Sequence, residues 1–230
     1  MSKKYELTNE TKTLEGGTVL HRIRALRDIP RYAVKAGELG GFVEEENNLS
    51  QDGDAWVSGD AKVFGNAYVS GNAWVSGYAK VSDYARVSDD AWVSGDAWVS
   101  GNAKVYGNAK VSDYAWVFGD AEVSGNAKVF GDAKVYGDAE ISGNALVFGD
   151  ANVFGNADYM VIKNTWSSGR WFTYTRSNKK WAVGCFYGTG EELVAKAYKD
   201  SKLSGRCYEA IVHAVETIEA AKAEAIGGTK

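Results

Sequence analysis

The stretch Asp54-Ala55-Trp56-Val57-Ser58-Gly59 begins a pattern that recurs every six residues, without insertion, as far as Ala157. An alanine stands at each sixth position, and a valine follows two positions later in almost every repeat. A short, strict period predicts a solenoid, in which each repeat buries its apolar residues only against the repeats above and below it. Strand alternation directs Val57 inward and both Trp56 and Ser58 outward.

The other positions of the hexad predict how the chain turns. The small Ala55 also faces inward, near a corner, and Gly59-Asp60 supplies the bend. Asp and Asn, which recur at position 60 and its equivalents, suit a corner because they tolerate left-handed backbone conformations. Three such flat segments close a triangular coil of eighteen residues. We therefore predict an all-β fold, a parallel β-helix over residues 51–158.

Residues 1–50 lack the repeat, and we predict that they form an N-terminal cap. The open end of a solenoid would otherwise present strand edges and an apolar cross-section to water. Val43 and Leu49 lie twelve and six residues before Ala55, in the spacing of the alanines. The glycine-rich segment 35–43 is expected to bend the chain into the first coil.

Residues 159–230 are predicted to form a small α+β domain at the C-terminal end of the repeat. Three segments have strand character and short turns between them, which predicts an antiparallel meander: 160–164, 170–176 and 180–187. Thr189 and Glu192 have the spacing of a capping box, which begins a helix of about ten residues. A second helix is predicted after it.

The pairs Val57 with Ala61 and Val63 with Ala67 reproduce a motif in which a small residue follows an aliphatic one after four positions. In this the chain resembles the hexapeptide-repeat left-handed β-helix proteins, over about 100 of its 230 residues. The resemblance implies left-handed coiling, an exception to the right-handed rule for parallel crossovers. Many members of the family have glycine directly after the aliphatic residue, whereas this chain has Ser, Phe or Tyr there.

The segments before and after the repeat point to a smaller group within this family. The entry segments LHRIRAL and LGGFVEEENNLSQDGDAWV and the tail WAVGCFYGTGEELVAKAYKDS are similar to hexapeptide-repeat proteins encoded by tailed phages and prophages. Some of those proteins carry the label of polymer-forming cytoskeletal protein. The resemblance implies a phage or prophage protein with a β-helical body.

Composition and charge limit the possible partners. The chain is 45% hydrophobic with a net charge of −4, and its polar start and lack of a long apolar run predict a cytoplasmic protein with no membrane partner. Residues 55–158 carry 7 basic and 13 acidic groups, which makes nucleic-acid binding by the repeat improbable. Cys185 and Cys207 lack the spacing of a disulfide framework or a zinc site.

Positions eighteen residues apart stack at about 4.8 Å, so the outward columns follow from the sequence. Two sides of the coil are aromatic and the third is mostly polar, which suits a cyclic homotrimer, because each protomer then offers one patch to each neighbour. The predicted interface residues are Trp56, Trp74, Trp92, Trp98, Trp116, Phe64, Phe118, Phe130 and Phe148. Ring stacking within one coil stack, covering by the terminal segments and a ligand platform are the alternatives.

A basic and aromatic cluster in the C-terminal domain is a second candidate site, for an anionic ligand or for stacked bases. Its residues are Trp166, Arg170, Trp171, Tyr174, Arg176, Lys179, Lys180 and Trp181. The alternative is an ordinary sheet, with alternate side chains in a core and the others in water.

The residues favour a non-enzymatic protein. Acyltransferases of the resembled family use a histidine base and an extra loop, and their carbonic-anhydrase relatives hold zinc with three histidines, whereas His21 and His213 both lie outside the repeats. We predict no catalytic residue, cofactor or metal, and a rigid trimeric scaffold whose terminal domains bind a host protein or an anionic small molecule. A counter-defence decoy that binds a host molecule is the alternative, and an acyltransferase comes third.

Overall fold

The protein, in a computed structural model that describes residues 3–165 and 168–227, is a parallel β-solenoid with a different structure at each end. The N-terminal part contains β1 (Tyr5–Thr13), β2 (Val19–Ala25) and β3 (Leu39–Val43), with 3-10 helices at Pro30–Tyr32 and Glu46–Asn48. β1 and β2 pair antiparallel, as do β2 and β3. β3 then joins the coils by pairing in parallel with a strand of the first full hexads.

Between Ala55 and Val153 each hexad contributes a strand of two residues, the first facing outward and the second inward. The strands are β4 (Trp56–Val57), β5 (Lys62–Val63), β6 (Tyr68–Val69), β7 (Trp74–Val75), β8 (Lys80–Val81), β9 (Arg86–Val87), β10 (Trp92–Val93), β11 (Trp98–Val99), β12 (Lys104–Val105), β13 (Lys110–Val111), β14 (Trp116–Val117), β15 (Glu122–Val123), β16 (Lys128–Val129), β17 (Lys134–Val135), β18 (Glu140–Ile141), β19 (Leu146–Val147) and β20 (Asn152–Val153).

These strands stack in three sheets, one on each side of the coil. Sheet A has the order β1-β2-β3-β5-β8-β11-β14-β17-β20, sheet B the order β4-β7-β10-β13-β16-β19, and sheet C the order β6-β9-β12-β15-β18. Partners are eighteen residues apart, as Trp74 and Trp92 in sheet B and Trp98 and Trp116 in sheet A show. The predicted parallel β-helix with a coil of eighteen residues is confirmed.

The interior of the coils consists of alanine and valine columns. Each repeat alanine from Ala55 to Ala151, and each inward residue from Val57 to Val153, is at most 1% exposed. Backbone groups bond from coil to coil, so that the Trp92 N–H donates to the Ala109 carbonyl at 2.9 Å. The small alanines and branched valines therefore fill a narrow core that continuous ladders of hydrogen bonds enclose.

At the corners, the left-handed residue stands one position earlier than the Asp and Asn pattern suggests. Gly59 has a φ of +65°, whereas the following Asp60 is not in the left-handed region. At three corners an aspartate replaces this glycine: Asp83, Asp89 and Asp113 have φ of 59°, 57° and 59°. Glycine suits the position because it adopts positive φ at no steric cost.

The first coil begins before the repeat, and in a different spacing from the one predicted. Val43 pairs with Val63, and Leu49 forms a bridge with Val69, so both occupy the valine column and not the alanine column. Leu49 and Val57 are eight residues apart instead of six. Because of these two additional residues, counting back from Ala55 in steps of six assigns the residues of the cap to the wrong column.

Segment 35–43 is partly a bend, but its second half is the strand β3, which lies directly on the first coil. A Cβ atom added to Gly40 would lie 2.6 Å from the Val57 carbonyl oxygen and 2.7 Å from Cζ2 of Trp56. Gly40 is therefore needed for close approach of the cap. The cap in turn buries the indole of Trp56.

The C-terminal part is α+β, as predicted. It contains a 3-10 helix at Asn156–Asp158, then β21 (Tyr159–Lys163), β22 (Trp171–Thr175), β23 (Lys180–Val183), β24 (Phe186–Gly188), α1 (Gly190–Asp200) and α2 (Lys202–Gly227). The four strands form the antiparallel sheet D in chain order. The predicted strand at 180–187 is two strands, because the chain turns at Gly184, where φ is +59°. The capping box is confirmed, with Thr189 N–H donating to the Glu192 carboxylate at 2.7 Å.

Sheet D is covered on both faces. On one face Phe172 and Trp181 pack against Leu193 of α1 and Val215 of α2. On the other face the sheet closes the last coil, where the Leu146 N–H donates to Thr173 Oγ1 at 2.9 Å. Neither end of the solenoid therefore leaves its core open.

Candidate interaction surface

Ladders of contacting aromatic rings cover part of sheets A and B. The ring centroids of Trp74 and Trp92 are 5.1 Å apart in sheet B, and those of Trp98 and Trp116 are 5.4 Å apart in sheet A. Such pairs stabilise neighbouring strands by about 0.2–1 kcal/mol each. Ring contact within one molecule, one of the alternatives for these residues, is therefore present.

Serine hydroxyls anchor two of these indoles within their own sheets. Trp74 Nε1 donates to Ser58 Oγ at 2.7 Å, and Trp98 Nε1 donates to Ser82 Oγ at 3.0 Å. Each serine lies sixteen residues before its tryptophan, on the neighbouring coil. Because the polar atom of the indole is satisfied inside the sheet, the ring presents an apolar face to the outside.

Lysines border the ladders and contact their rings from the neighbouring coil. The Nζ-to-centroid distances are 5.4 Å for Lys80 and Trp98, 4.6 Å for Lys110 and Trp92, and 5.3 Å for Lys134 and Trp116. Contacts of this kind at exposed sites contribute about 0.5–1 kcal/mol. The column on sheet A is therefore aromatic in its middle with a lysine on either side, whereas on sheet B lysines follow the tryptophans on one side only.

A second aromatic column runs beside the first on sheet A. The rings of Phe118 and Tyr136 are stacked with centroids 5.0 Å apart, and Tyr136 meets Phe154 edge-on at 5.4 Å. Trp98, Ser100, Trp116 and Phe118 together line a cleft of about 150 Å³. Sheet A therefore offers a concave aromatic surface.

Several aromatic residues of the repeat remain well exposed, among them residues on sheet A, on sheet B and at the corner between them. Trp92 of sheet B is 38% exposed and Trp116 of sheet A is 42% exposed. Between these two sheets, at the corner, Tyr78 is 59% and Tyr114 is 63% exposed. Exposed aromatic residues in such number are typical of an interaction site.

Three residues of the predicted interface lie under other parts of the chain. Trp56 is only 1% exposed because the cap strand β3 covers it, and it is removed from the interface. Tyr32 of the cap covers Trp74, with centroids 4.5 Å apart, and Tyr187 of the C-terminal part contacts Phe148 at the same distance. Covering by the terminal segments is therefore the correct interpretation for the two ends of the columns.

The other two flanking phenylalanines are half-buried. Phe130 stacks on Phe148 with centroids 4.2 Å apart. Phe64 lies beside the first coils of sheet A and is also half-buried. The uncovered part of the predicted interface consists of its middle coils, from Trp92 to Phe130.

Sheet C is charged, as predicted for the third side. Its outward residues from the second coil onward are Arg86, Lys104, Glu122 and Glu140. Lys104 Nζ donates to Glu122 at 2.7 Å, and this hydrogen bond lowers the pKa of the Glu122 carboxyl below its usual value. An exposed ion pair is compatible with contact with water.

The structure divides the basic and aromatic cluster of the C-terminal domain between core and surface. Trp181 and Tyr174 are buried against the helices, so they present no ring to a ligand. Arg176 donates to Glu219 on α2 from Nε at 2.7 Å and from a terminal nitrogen at 3.1 Å. The interpretation as a single binding surface is wrong for these three residues, because both faces of sheet D are covered.

The remaining members of the cluster lie at the rim of sheet D. Arg170 and Lys179 are exposed, and Trp171 and Lys180 are half-buried. Lys163 Nζ lies 5.3 Å from the ring centroid of Trp171, so that ring already has a cationic neighbour. Trp166 lies outside the described residues.

No pattern in the sequence indicated a buried lysine in the cap. The Lys4 side chain is fully buried, and its Nζ donates to the Ala55 carbonyl at 2.8 Å. Burial lowers the pKa of Lys4 to about 8, with the positive charge of Arg27 as the second cause. Lys4 therefore connects the start of β1 to the first repeat by a buried hydrogen bond.

The histidine and cysteine side chains lie away from the aromatic columns of sheets A and B. His21 is on β2, with Nδ1 3.3 Å from the Thr8 carbonyl oxygen, and His213 is exposed on α2. Cys185 and Cys207 are free thiols. Among the residues that the structure describes, no group of His, Cys, Asp or Glu side chains is arranged to hold a metal ion. No helix in the same residues is long and apolar enough to cross a membrane.

Comparison with known proteins identifies the repeat. Residues 85–102, which span one coil, match the family model of the YdcK beta solenoid repeat. No curated protein matches the chain. The repeat match and the three stacked sheets agree with each other, and the chain is a β-solenoid repeat protein.

Proposed function

We propose that the protein is a non-enzymatic, homotrimeric β-helical scaffold. In this proposal it belongs to the hexapeptide-repeat left-handed β-helix proteins of tailed phages and prophages and acts in the host bacterial cytoplasm. Its coils form a rigid body, and its terminal domains bind a host protein or an anionic small molecule. The observation that carries the trimer is the set of exposed aromatic residues on sheet B, on sheet A and at their common corner.

The exposed rings support self-association. Trp92 on sheet B, Trp116 on sheet A and the corner residues Tyr78 and Tyr114 are each more than one-third exposed. A monomer rarely leaves so many aromatic rings in water. A cyclic trimer covers two different sides with one kind of interface, since the contact is heterologous. The charged sheet C then remains in contact with solvent.

The ladder of hydrogen bonds supports a role as a rigid body. Coils bond through consecutive backbone groups at distances such as 2.9 Å between Ser94 N and Val111 O. The columns of alanine and valine leave no exposed member in the core. Each coil contacts only its neighbours, so the separation of the two ends is set by the number of coils.

Light scattering on the purified protein tests the assembly. The expected mass is three times the 24.8 kDa of one chain. Trp116→Glu should reduce the mass to one chain, because a carboxylate would be buried without a partner in the interface. Tyr68→Glu is the matched control, since Tyr68 is similarly exposed, at 39%, but on sheet C. A wild-type mass of one chain would contradict the proposal.

The cleft on sheet A favours a second candidate function, a decoy that binds a planar host molecule. Trp98 and Phe118 would stack on such a ligand, with Ser100 as a hydrogen-bonding group. Native mass spectrometry of protein taken directly from infected cells should then show an added mass, which is lost in Phe118→Ala. An unmodified mass in the wild type would exclude a tightly held ligand.

A further inference from the structure

We infer that one edge of the coil faces the axis of the trimer, and that it meets the same edge of two further copies of the chain there. This edge, the B–A edge, joins each strand of sheet B to the following strand of sheet A. In the middle coils its outermost residues are Tyr78, Asp96, Tyr114 and Asp132, whereas Lys12 pairs with Asp60 in the first coil and Asn178 and Tyr187 bond to Asp150 in the last. The inference rests on the trimer proposed above and specifies which surface closes it.

The tyrosines single out this edge. Tyr78 and Tyr114 lie two coils apart on it, at positions that hold aspartate in the other coils. Both are more than half exposed, and the exposed Trp116 stands in the column of sheet A next to the edge, whereas Trp92 stands in the column of sheet B away from it. Tyr84, which is 62% exposed, stands at a different edge, between sheets A and C, and the edge residues one and two coils below it are Asn102 and Asp120. Aromatic residues thus accumulate on the B–A edge and on the two sides adjoining it.

The triangular cross-section of the coil determines how much of each side contacts the neighbouring copy. Adjacent sides of a three-sided coil meet at roughly 60°, so three copies with one edge inward leave gaps that widen away from the axis. Contacts therefore concentrate in the column on each sheet that lies next to the edge. On sheet B this column contains Ser76, Ser94, Ser112 and Phe130, and on sheet A it contains Lys80, Trp98, Trp116 and Lys134.

These two columns complement each other when neighbouring copies stand at the same height, which ring closure requires. Trp98 then lies opposite Ser94 of the next copy, and Trp116 lies opposite its Ser112. A bulky ring against a small side chain permits close packing at both levels. One coil further, Lys134 lies opposite Phe130, a cation over an aromatic ring.

The charges support a second copy of the chain as the occupant. The outward lysines of sheet B, Lys110 and Lys128, stand in the column away from the edge, whereas Lys80 and Lys134 of sheet A stand next to it. No lysine therefore opposes a lysine in this arrangement, and the like charges that do meet are the carboxylates of Asp96 and Asp132 at the axis. Around the axis, the hydroxyl groups of Tyr78 and Tyr114 stand one coil above and below the carboxylates of Asp96, which can accept their hydrogen bonds.

Substitution of the two edge tyrosines tests the inference. Tyr78→Asp combined with Tyr114→Asp should reduce the mass from three chains to one, because it removes both rings from the axis and adds carboxylates to those of Asp96 and Asp132 already there. The folded coil accepts aspartate here, since Asp96 occupies the same edge between them, and an unchanged circular dichroism spectrum verifies folding. Tyr84→Asp is the matched control and should remain a trimer.

A small-to-large substitution tests the column contact independently. Ser94→Trp should also lower the mass to one chain, because it places an indole against Trp98 of the next copy. Ser88→Trp adds the same side chain on sheet C and should leave three chains. If the wild type is trimeric but the double tyrosine variant and Ser94→Trp both remain trimeric, the inference is overturned and the proposed scaffold stands. A monomeric wild type would overturn both.

Discussion

The carboxylate of Asp83 accepts a hydrogen bond from the backbone N–H of Gly101, the corner residue on the next coil, at 3.1 Å. The same bond recurs between Asp89 and Gly107 at 3.0 Å and between Asp113 and Gly131 at 3.2 Å. At these three corners a residue with a side chain occupies the left-handed position that glycine holds elsewhere. The bond to the next coil offsets the strain of positive φ.

Asp83→Ala should destabilise the solenoid by about 1–2 kcal/mol, because it removes this bond and leaves a Cβ in the left-handed region. Asp83→Gly should cost less, since glycine relieves the backbone while losing the same bond. Denaturant unfolding followed by circular dichroism gives both values. Asp138→Ala, at an exposed corner position without positive φ, is the control and should be nearly neutral. Equal losses for alanine and glycine would contradict the backbone argument.

Gly40→Ala should detach the cap from the first coil. The new Cβ would lie 2.6 Å from the Val57 carbonyl oxygen, which belongs to the backbone and cannot move aside. Overpacking of this kind costs about 1–3 kcal/mol. Exposure of the buried Trp56 should shift its fluorescence to longer wavelength and allow early proteolysis of the cap.

Gly155→Ala is the matched control for this substitution. A Cβ at Gly155 would meet no atom within 4 Å, and its φ of −153° is ordinary extended backbone. The control should therefore unfold like the wild type. Normal cap protection in Gly40→Ala would show that β3 is not held as closely as its contacts indicate.

The repeat could be predicted from the sequence because each hexad repeats the same local instructions. Val57 and its equivalents fix the inward side, and the outward columns then follow from a period of eighteen residues. The burial of Trp56 could not be predicted, since the cap that covers it does not repeat. Its docking depends on Gly40 and on two additional residues before Val57, and neither changes the pattern of the hexads.

The burial of the basic and aromatic cluster in the C-terminal domain could not be predicted for a different reason. Alternation along β22 predicted one buried and one solvated face, which holds for a sheet with a free side. Here Thr173 faces the last coil while Tyr174 faces the helices, so both faces are buried. The pairing of Arg176 with Glu219 joins residues 43 positions apart, and no local pattern indicates such a contact.

Lys4 should make the stability of the cap depend on pH. Its pKa is lowered to about 8 in the folded protein from 10.5, so between these values the unfolded chain binds more protons. Stability therefore rises as pH increases through this window, by at most about 1.4 kcal/mol per pH unit. Thermal unfolding at pH 7.5, 8.5 and 9.5 measures the rise, which should be absent in Lys4→Met. A parallel response in the variant would assign the effect to other groups.

The pairing of Arg176 with Glu219 should hold α2 against sheet D. Both side chains are less than one-third exposed, and Arg176 donates two hydrogen bonds to one carboxylate, which strengthens the pair relative to a surface contact. A double-mutant cycle with Arg176→Ala and Glu219→Ala should give a coupling of about 1–2 kcal/mol, with faster amide exchange along α2 in the single variants. The exposed pair Lys104 and Glu122 is the matched comparison and should give well under 1 kcal/mol. Similar couplings for the two pairs would show that burial and geometry add nothing to the contact at α2.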